Sequence, residues 1–267
     1  MAHLTEVNKQ GEWFSLMRVQ VLVATMNQQD YSLLKKMNIQ SEIIVGNQAM
    51  SNHVEDFMWG GYSVKWLTFN ERGVGLNRNN ALLRATGDIC LFADDDMVYV
   101  DNYPQIVCKA FEQLPDADVI VFNLKEPIVT RYVNKKITRV RFHNYLRYGT
   151  ARIAVKLKSI RENGIFFNLC YGGGTEHCHG EDNLFLTDCL KKGLKVYASP
   201  EYIAELTEER CSTWKDNISV NDYLKDQGYL YKQISPRMWR ILCFQDALRH
   251  QGEYNTSFMS AYKMMTK

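Results

Sequence analysis

Apolar residues recur along the chain in short runs broken by polar or glycine-containing stretches. Residues 18–24 (RVQVLVA), 41–45 (SEIIV), 62–69 (YSVKWLTF), 89–93 (ICLFA), 118–124 (DVIVFNL) and 194–198 (LKVYA) are rich in β-branched or aromatic residues and too short for typical helices. They predict buried strands. Helical spacing falls between them, over 30–36, 76–85, 103–114 and 183–192. In 76–85 the apolar side comes from Leu76, Ala81, Leu82, Leu83 and Ala85, and Gly87 offers a left-handed cap. Pro104 sits in a first helical turn, where it is tolerated, and Gly193 closes the 183–192 helix. Residues 148–155 read as a further strand and 52–58 fit neither period. Residues 132–147 read as a ribbon or mobile loop, and 168–182, with Gly172, Gly173 and Gly174, as a loop. From about Asn217 the pattern is helical. There Met238, Trp239, Ile241, Leu242, Phe244, Gln245, Ala247 and Leu248 form a broad stripe, expected to pack on the sheet. Strand–helix alternation predicts an α/β fold with a mainly parallel sheet and helices on both faces. The expected division is an α/β domain over 1–216 and a helical extension over 217–267 packed on it.

Three aspartates, Asp94, Asp95 and Asp96, follow the run 89–93 directly. In open α/β sheets ligands bind at such strand ends. Adjacent carboxylates repel, so a partially buried triplet needs a counter-charge. A divalent cation with oxygen ligands is the simplest one, its shell completed by water and substrate phosphate. An ordinary solvated acidic turn is the alternative.

Composition narrows the field. The chain has 267 residues, 46% apolar, with a formal net charge of +2, so it can build a core but has no bulk charge for nucleic acid. Its local basic patch, 135–147, contains Lys135, Lys136, Arg139, Arg141 and Arg147. Seven cysteines without CxxC spacing are expected to be reduced thiols in a cytosolic protein. Cys178 lies between His177 and His179, but no second ligand cluster is near in sequence, so surface-loop histidines are expected. Residues 1–14 lack a secretory apolar core, and Met17 is a candidate alternative start. No window approaches the roughly 18 apolar residues of a membrane span.

With these parts in order, the chain resembles the family 2 glycosyltransferases of GT-A fold over roughly residues 18–214. The motifs are VLVATMN, EIIVGNQ, RGVGLNRNNALLRATGDICLFADDD and GGGTEHCHGEDNLFLTDCLKKGLKVY. Each is weak alone, and their order carries the signal. The resemblance makes the triplet a DxD motif. It implies Asp96 as the direct ligand of Mn2+ or Mg2+, and Asp94 helping through water or the donor ribose. Asp95 is a donor-side contact or a solvent-facing charge. Asp182 matches the catalytic base, with Glu181 as second choice or acceptor-orienting group. Thr25 and Asn27 match the loop bordering the nucleotide base, and Arg78 and Asn79 the helix beside the nucleotide. Arg78 would offset diphosphate charge, and residues 172–174 would let backbone approach a sugar. Two positions depart from the pattern. Asn47 stands where an acidic residue often reads uracil, and no histidine lies in 201–214 to complete the metal shell, leaving Glu205, Glu208 or water.

The resemblance implies a metal-dependent, inverting transferase. The donor would be a nucleotide sugar, UDP-linked by expectation. The acceptor would be a glycan or lipid-linked glycan in bacterial capsule or surface polysaccharide synthesis. A cytoplasmic protein is expected, with residues 132–148 and the C-terminal stripe as candidates for peripheral contact at the inner membrane face. A sugar nucleotidyltransferase is a rival. It would need a glycine-rich basic loop after the first strand, where Thr25-Met26-Asn27-Gln28 supplies none. A non-catalytic nucleotide or glycan binder is the third reading. Oligomeric state is not encoded in these features.

Overall fold

The computed structural model describes residues 5–7, 13–15, 17–129, 131–207 and 218–267. Thr5–Val7 (β1) and Trp13–Ser15 (β2) pair as a separate antiparallel ribbon. The run after Arg18 forms β3 (Val19–Met26), followed by α1 (Ser32–Lys36) and β4 (Glu42–Gln48). The ambiguous stretch is β5 (His53–Trp59), joined in an antiparallel hairpin to β6 (Tyr62–Phe69). The tight connection uses Gly60 and Gly61, both at positive φ. Its weak signal reflects its place at the sheet edge, where neither face of β5 is fully buried. Then come α2 (Val74–Arg84), β7 (Ile89–Asp94), β8 (Met97–Tyr99), α3 (Tyr103–Gln113) and β9 (Val119–Lys125). They are followed by β10 (Thr138–Arg139), β11 (Ile153–Lys156), α4 (Leu157–Glu162), α5 (Glu181–Lys191) and β12 (Val196–Leu206). Helices α6 (Val220–Ile234), α7 (Trp239–Arg249) and α8 (Phe258–Met265) close the chain.

The main sheet runs β10-β12-β9-β11-β7-β3-β4-β6-β5, with β8 added on β12. β6, β4, β3 and β7 are parallel, as are β9 and β12. β11 is antiparallel to both neighbours and joins the two blocks, so the sheet is mixed rather than mainly parallel. A strand buried on both faces carries the same apolar run in either direction, so composition did not fix its sense. Of the expected 148–155 only 153–155 is strand, and the strand ends one residue later at Lys156; single 3-10 turns at Tyr145–Arg147 and Thr150–Arg152 precede it. β12 continues past Ala198 to Leu206, with its register against β9 shifting around Tyr202.

Period-two alternation sorts side chains between the two faces. In β7, Ile89, Leu91 and Ala93 join the cluster around α1 and α3, while Cys90 and Phe92 join the cluster that holds α2, α5 and the C-terminal helices. Asp94 continues the second series, which sets the site described next. The C-terminal stripe departs from expectation. Cys243 and Ala247 are buried where α7 meets α6 and α8, but Met238, Ile241, Phe244 and Leu248 are about half exposed. The stripe is wider than the face its neighbours cover.

Candidate active site

The parallel register aligns the strand ends that matter. Ala24 lies beside Asp94, and Thr25 and Met26 lie beside Asn47 and Gln48. The loops after β3, β4 and β7 therefore share one edge of the sheet. Asp94, on the α2/α5 side, meets Arg78. In α2, Arg78, Ala81 and Leu82 form the buried stripe, continued by Ala85, so the guanidinium is drawn under the sheet edge rather than into solvent. Its Nη2 donates to Asp94 Oδ1 at 2.6 Å and its Nη1 to Glu181 Oε1 at 2.8 Å. Arg78 is 4% exposed and lies over the Phe167 ring, which stacks on Phe185 while Phe92 meets both edge-on. Burial opposes the charge on Arg78, but Asp94 and Glu181 outweigh it and hold its pKa above the usual arginine value. With both Nη groups engaged, Arg78 neutralises the two carboxylates instead of standing free for a diphosphate.

Glu181 and Asp182 open α5, two residues earlier than the pattern indicated. Gly180, at φ 101°, makes the turn into the helix, and a Cβ there would strike Leu230 of α6 at 2.7 Å. Gly172 is equally constrained: at φ 102° a Cβ would lie 2.6 Å from Val74 and 2.8 Å from Glu181 Oε2. The glycine loop also accepts the Val74 N–H on Gly173 O at 2.9 Å. It thus packs Glu181 against the start of α2. Asp182 Oδ1 accepts from Asn183 N at 2.7 Å. Desolvation, then Glu181, pushes Asp182 up to about 7; Asn183 N and Arg78 oppose this, and Asp94 adds to it. The helix N-terminus therefore does not win at Asp182. The triplet and the ED pair occupy one site, linked through Arg78.

Asp95 accepts from Thr25 Oγ1, and Gln28 Nε2 donates to Thr25 Oγ1 at 2.8 Å. Asp96 faces a cavity of about 280 Å³ lined also by Gln28, Lys36, Asp95 and Thr207. Desolvation, Asp94 and Asp95 raise the Asp96 pKa, with Arg131 partly offsetting them. This crowding is what a cation would relieve. Among the described residues no group of three or more His, Cys, Asp or Glu side chains could hold a metal. The donors available suit an ion held by one or two carboxylates and substrate phosphate, not a protein cage. Glu205 pairs with exposed Lys125 instead of joining Asp96, and Glu208 lies outside the described residues.

A larger cavity, about 510 Å³, lies at the ends of β3 and β4 and is lined by Asn27, Asn47, Tyr31, His53, Trp66 and Thr68, among others. Asn27 takes a left-handed conformation at φ 55° and its N–H donates to Gln48 O at 2.9 Å. Asn47 is 2% exposed; its amide accepts from Gln28 N at 3.0 Å and donates to Gln28 O at 3.1 Å. These bonds make it a clamp on the loop rather than a free donor or acceptor. Asn79 is similarly spent: it donates to Phe167 O at 2.9 Å and accepts from Phe167 N at 2.8 Å. It ties α2 to the segment carrying the aromatic floor instead of facing a ligand.

Residues 40–170 match the family model described as glycosyl transferase family 2. Just under half of the chain therefore carries the family 2 glycosyltransferase pattern. This glycosyltransferase has the GT-A fold. It is similar to S. aureus TarS 1–349 solved with UDP-GlcNAc: 17% identity, 94% of this chain, 76% of that chain and a TM-score of 0.63. Against TarS 1–349 with UDP the figures are 17%, 88%, 72% and 0.61. The longer TarS structure gives 16%, 94% of this chain, 55% of that chain and 0.59. No curated protein matches the chain.

In this glycosyltransferase His177 and His179 are not surface-loop residues. His177 stacks on Tyr171 with centroids 4.5 Å apart, and its Nδ1 is 3.0 Å from Asp226 Oδ1 of α6. His179 lies 4.7 Å from the Tyr223 ring. They dock the glycine loop on the C-terminal helices. Tyr31 and Trp66, ring centroids 5.1 Å apart in the larger cavity, are residues that motif spacing missed.

Proposed function

We propose that the chain transfers a sugar from a nucleotide-sugar donor, with UDP the expected nucleotide, to a hydroxyl of a glycan acceptor with inversion. The observation that carries this reading is the Arg78 bridge, which holds Asp94 and Glu181 together beside Asp182. The fold shared with TarS, solved with UDP-GlcNAc and with UDP, supports the donor class.

In this reading the nucleotide occupies the Asn27–Trp66 cavity, with Asn27 and Asn47 in its wall and Asp95 held in place by Thr25. Asp96, with Asp94 nearby, would hold Mn2+ or Mg2+, which as a Lewis acid stabilises charge on the departing diphosphate oxygens. Asp182 accepts the acceptor hydroxyl proton. The acceptor oxygen then forms a bond to the anomeric carbon as the carbon–oxygen bond to the diphosphate breaks. A pKa of about 7 suits a base working near neutrality. Glu181 and Arg78 keep Asp182 in register, and Asn79 fixes the floor beneath. One base opposite the leaving group implies a single displacement, hence inversion.

A thermal-shift screen of UDP-, GDP- and CMP-sugars, with and without manganese, tests the reading. Stabilisation by one nucleotide class, enhanced by manganese, supports it; no shift with any donor contradicts it.

The half-exposed Met238, Ile241, Phe244 and Leu248 on α7, with Arg240 and Arg249 on the same helix, support peripheral membrane contact. No helix among the described residues is long and apolar enough to cross a membrane. Flotation with anionic liposomes tests the contact, and unbound protein removes it. The 217–267 helices, docked through Leu230 and Asp226, are read as an extension of the transferase domain.

A further inference from the structure

A separate cavity of about 290 Å³ is lined by Lys125, Glu126, Arg131, Tyr132, Arg152 and Tyr202, among others. It shares no lining residue with the larger cavity. Arg152 is 2% exposed. Its Nε donates to Phe122 O at 2.7 Å and its Nη2 to Asn123 Oδ1 at 3.0 Å, while Nη1 has no partner among the described residues. The lining holds three cations and one carboxylate; Glu126 is engaged by Arg131 and Lys125 pairs with Glu205, which leaves Arg152 without a carboxylate partner among the described residues. Burial works against the Arg152 charge and lowers its pKa from the usual arginine value. A guanidinium stays protonated, so its charge is left undercompensated.

One more buried donor in the same network has no partner, Asn134 Nδ2, and Thr150 Oγ1, two residues before Arg152, is also buried without one. Asn134 N donates at 2.9 Å to the Asn123 oxygen that also accepts from Arg152. Native proteins leave few buried polar groups unpaired, and two in one network indicate a missing acceptor. The place is telling. Thr150 and Arg152 follow Gly149, whose Cβ position would be 3.4 Å from Asp182 Oδ2.

We propose that this cavity is an oxyanion subsite that holds a phosphate or carboxylate group carried by the acceptor, beside the proton-accepting Asp182. The ligand class rests on the glycosyl-transfer reading; the anion site itself does not. Charge-assisted bonds to a buried guanidinium are worth roughly a 10- to 100-fold change in affinity.

The test is thermal shift of the full chain with inorganic phosphate or acetate against chloride at matched ionic strength, in saturating UDP. At least one oxyanion is expected to stabilise the protein beyond chloride, and Arg152→Gln to remove the effect. Arg131→Gln, at a half-exposed rim position, serves if the buried variant fails to fold. No oxyanion effect, displacement by UDP, or an effect unchanged in the variants overturns the site. With active enzyme, acceptors bearing phosphate or carboxylate should exceed neutral ones about 10- to 100-fold in kcat/KM. Arg131→Gln should erase that preference. Equal use of neutral acceptors overturns the acceptor assignment, whereas oxyanion binding without any transfer counts against the transfer reading alone.

Discussion

Asp94 and Glu181 are held together by one guanidinium: Arg78 donates to Asp94 from Nη2 and to Glu181 from Nη1. The strand-end triplet and the start of α5 are thereby a single electrostatic unit. Removing Arg78 would leave two carboxylates facing each other beside Asp182. Arg78→Ala is expected to destabilise the fold by about 3–5 kcal/mol, the range for breaking a buried ion pair, and to abolish transfer. Urea unfolding checks the first effect. Arg78→Lys should rescue little, because an ammonium cannot bridge both partners in one plane.

Asp182 yields a pH dependence with a definite sign. Its folded pKa of about 7 lies above the ordinary carboxylate value of 3.8, so between these values the folded chain holds the extra proton. Stability from this group is present at low pH and declines as pH rises toward 7. Asp182→Asn should flatten that slope and raise Tm relative to wild type at pH 8. For catalysis the sign is opposite, since only the ionised carboxylate accepts a proton. kcat/KM should rise with pH up to about 7, measured as a pH–rate profile.

Asp96, raised by burial and its two acidic neighbours, should bind a divalent cation with release of its proton. Manganese is expected to raise Tm more at pH 8 than at pH 5. Asp96→Asn should lose the metal-dependent shift and reduce transfer at least about 100-fold, a few kcal/mol of charge stabilisation. A variant that keeps the metal response would remove Asp96 from that role.

Asn79 was expected beside the nucleotide, and its hydrogen bonds to the Phe167 backbone place it in the support instead. Asn79→Ala leaves a buried N–H and C=O unpaired, at a cost of about 1–3 kcal/mol. Donor KM should stay close to wild type. Denaturation with donor titration separates the two effects.

Strands were legible wherever an apolar run was bounded on both sides, as in β3, β6 and β7. Asp94, Asp96, Glu181 and Asp182 stood out through the order of their motifs along the chain, because acidic groups at strand and helix ends are common on structural grounds alone. Direction was not legible for β11, nor was length for β12, whose continuation to Leu206 depends on pairing with the distant β8 and β9. The roles of Arg78, Asn79 and Asn47 lay deeper still. Residue type fits a ligand contact and a structural clamp equally well, and only the partner, remote in sequence, decides between them. His177 shows the same point, because Asp226 and Tyr229 are contributed by α6.

The central claim is that the linked carboxylates act on a single sugar, with Asp182 as the base of an inverting displacement. Proton NMR of a reaction with an α-linked UDP-sugar and a glycan acceptor reads this directly. Wild type is expected to release UDP while forming a β-linked product, and Asp182→Asn to bind UDP as before yet form none. An α-linked product, or full turnover by Asp182→Asn, would contradict the account.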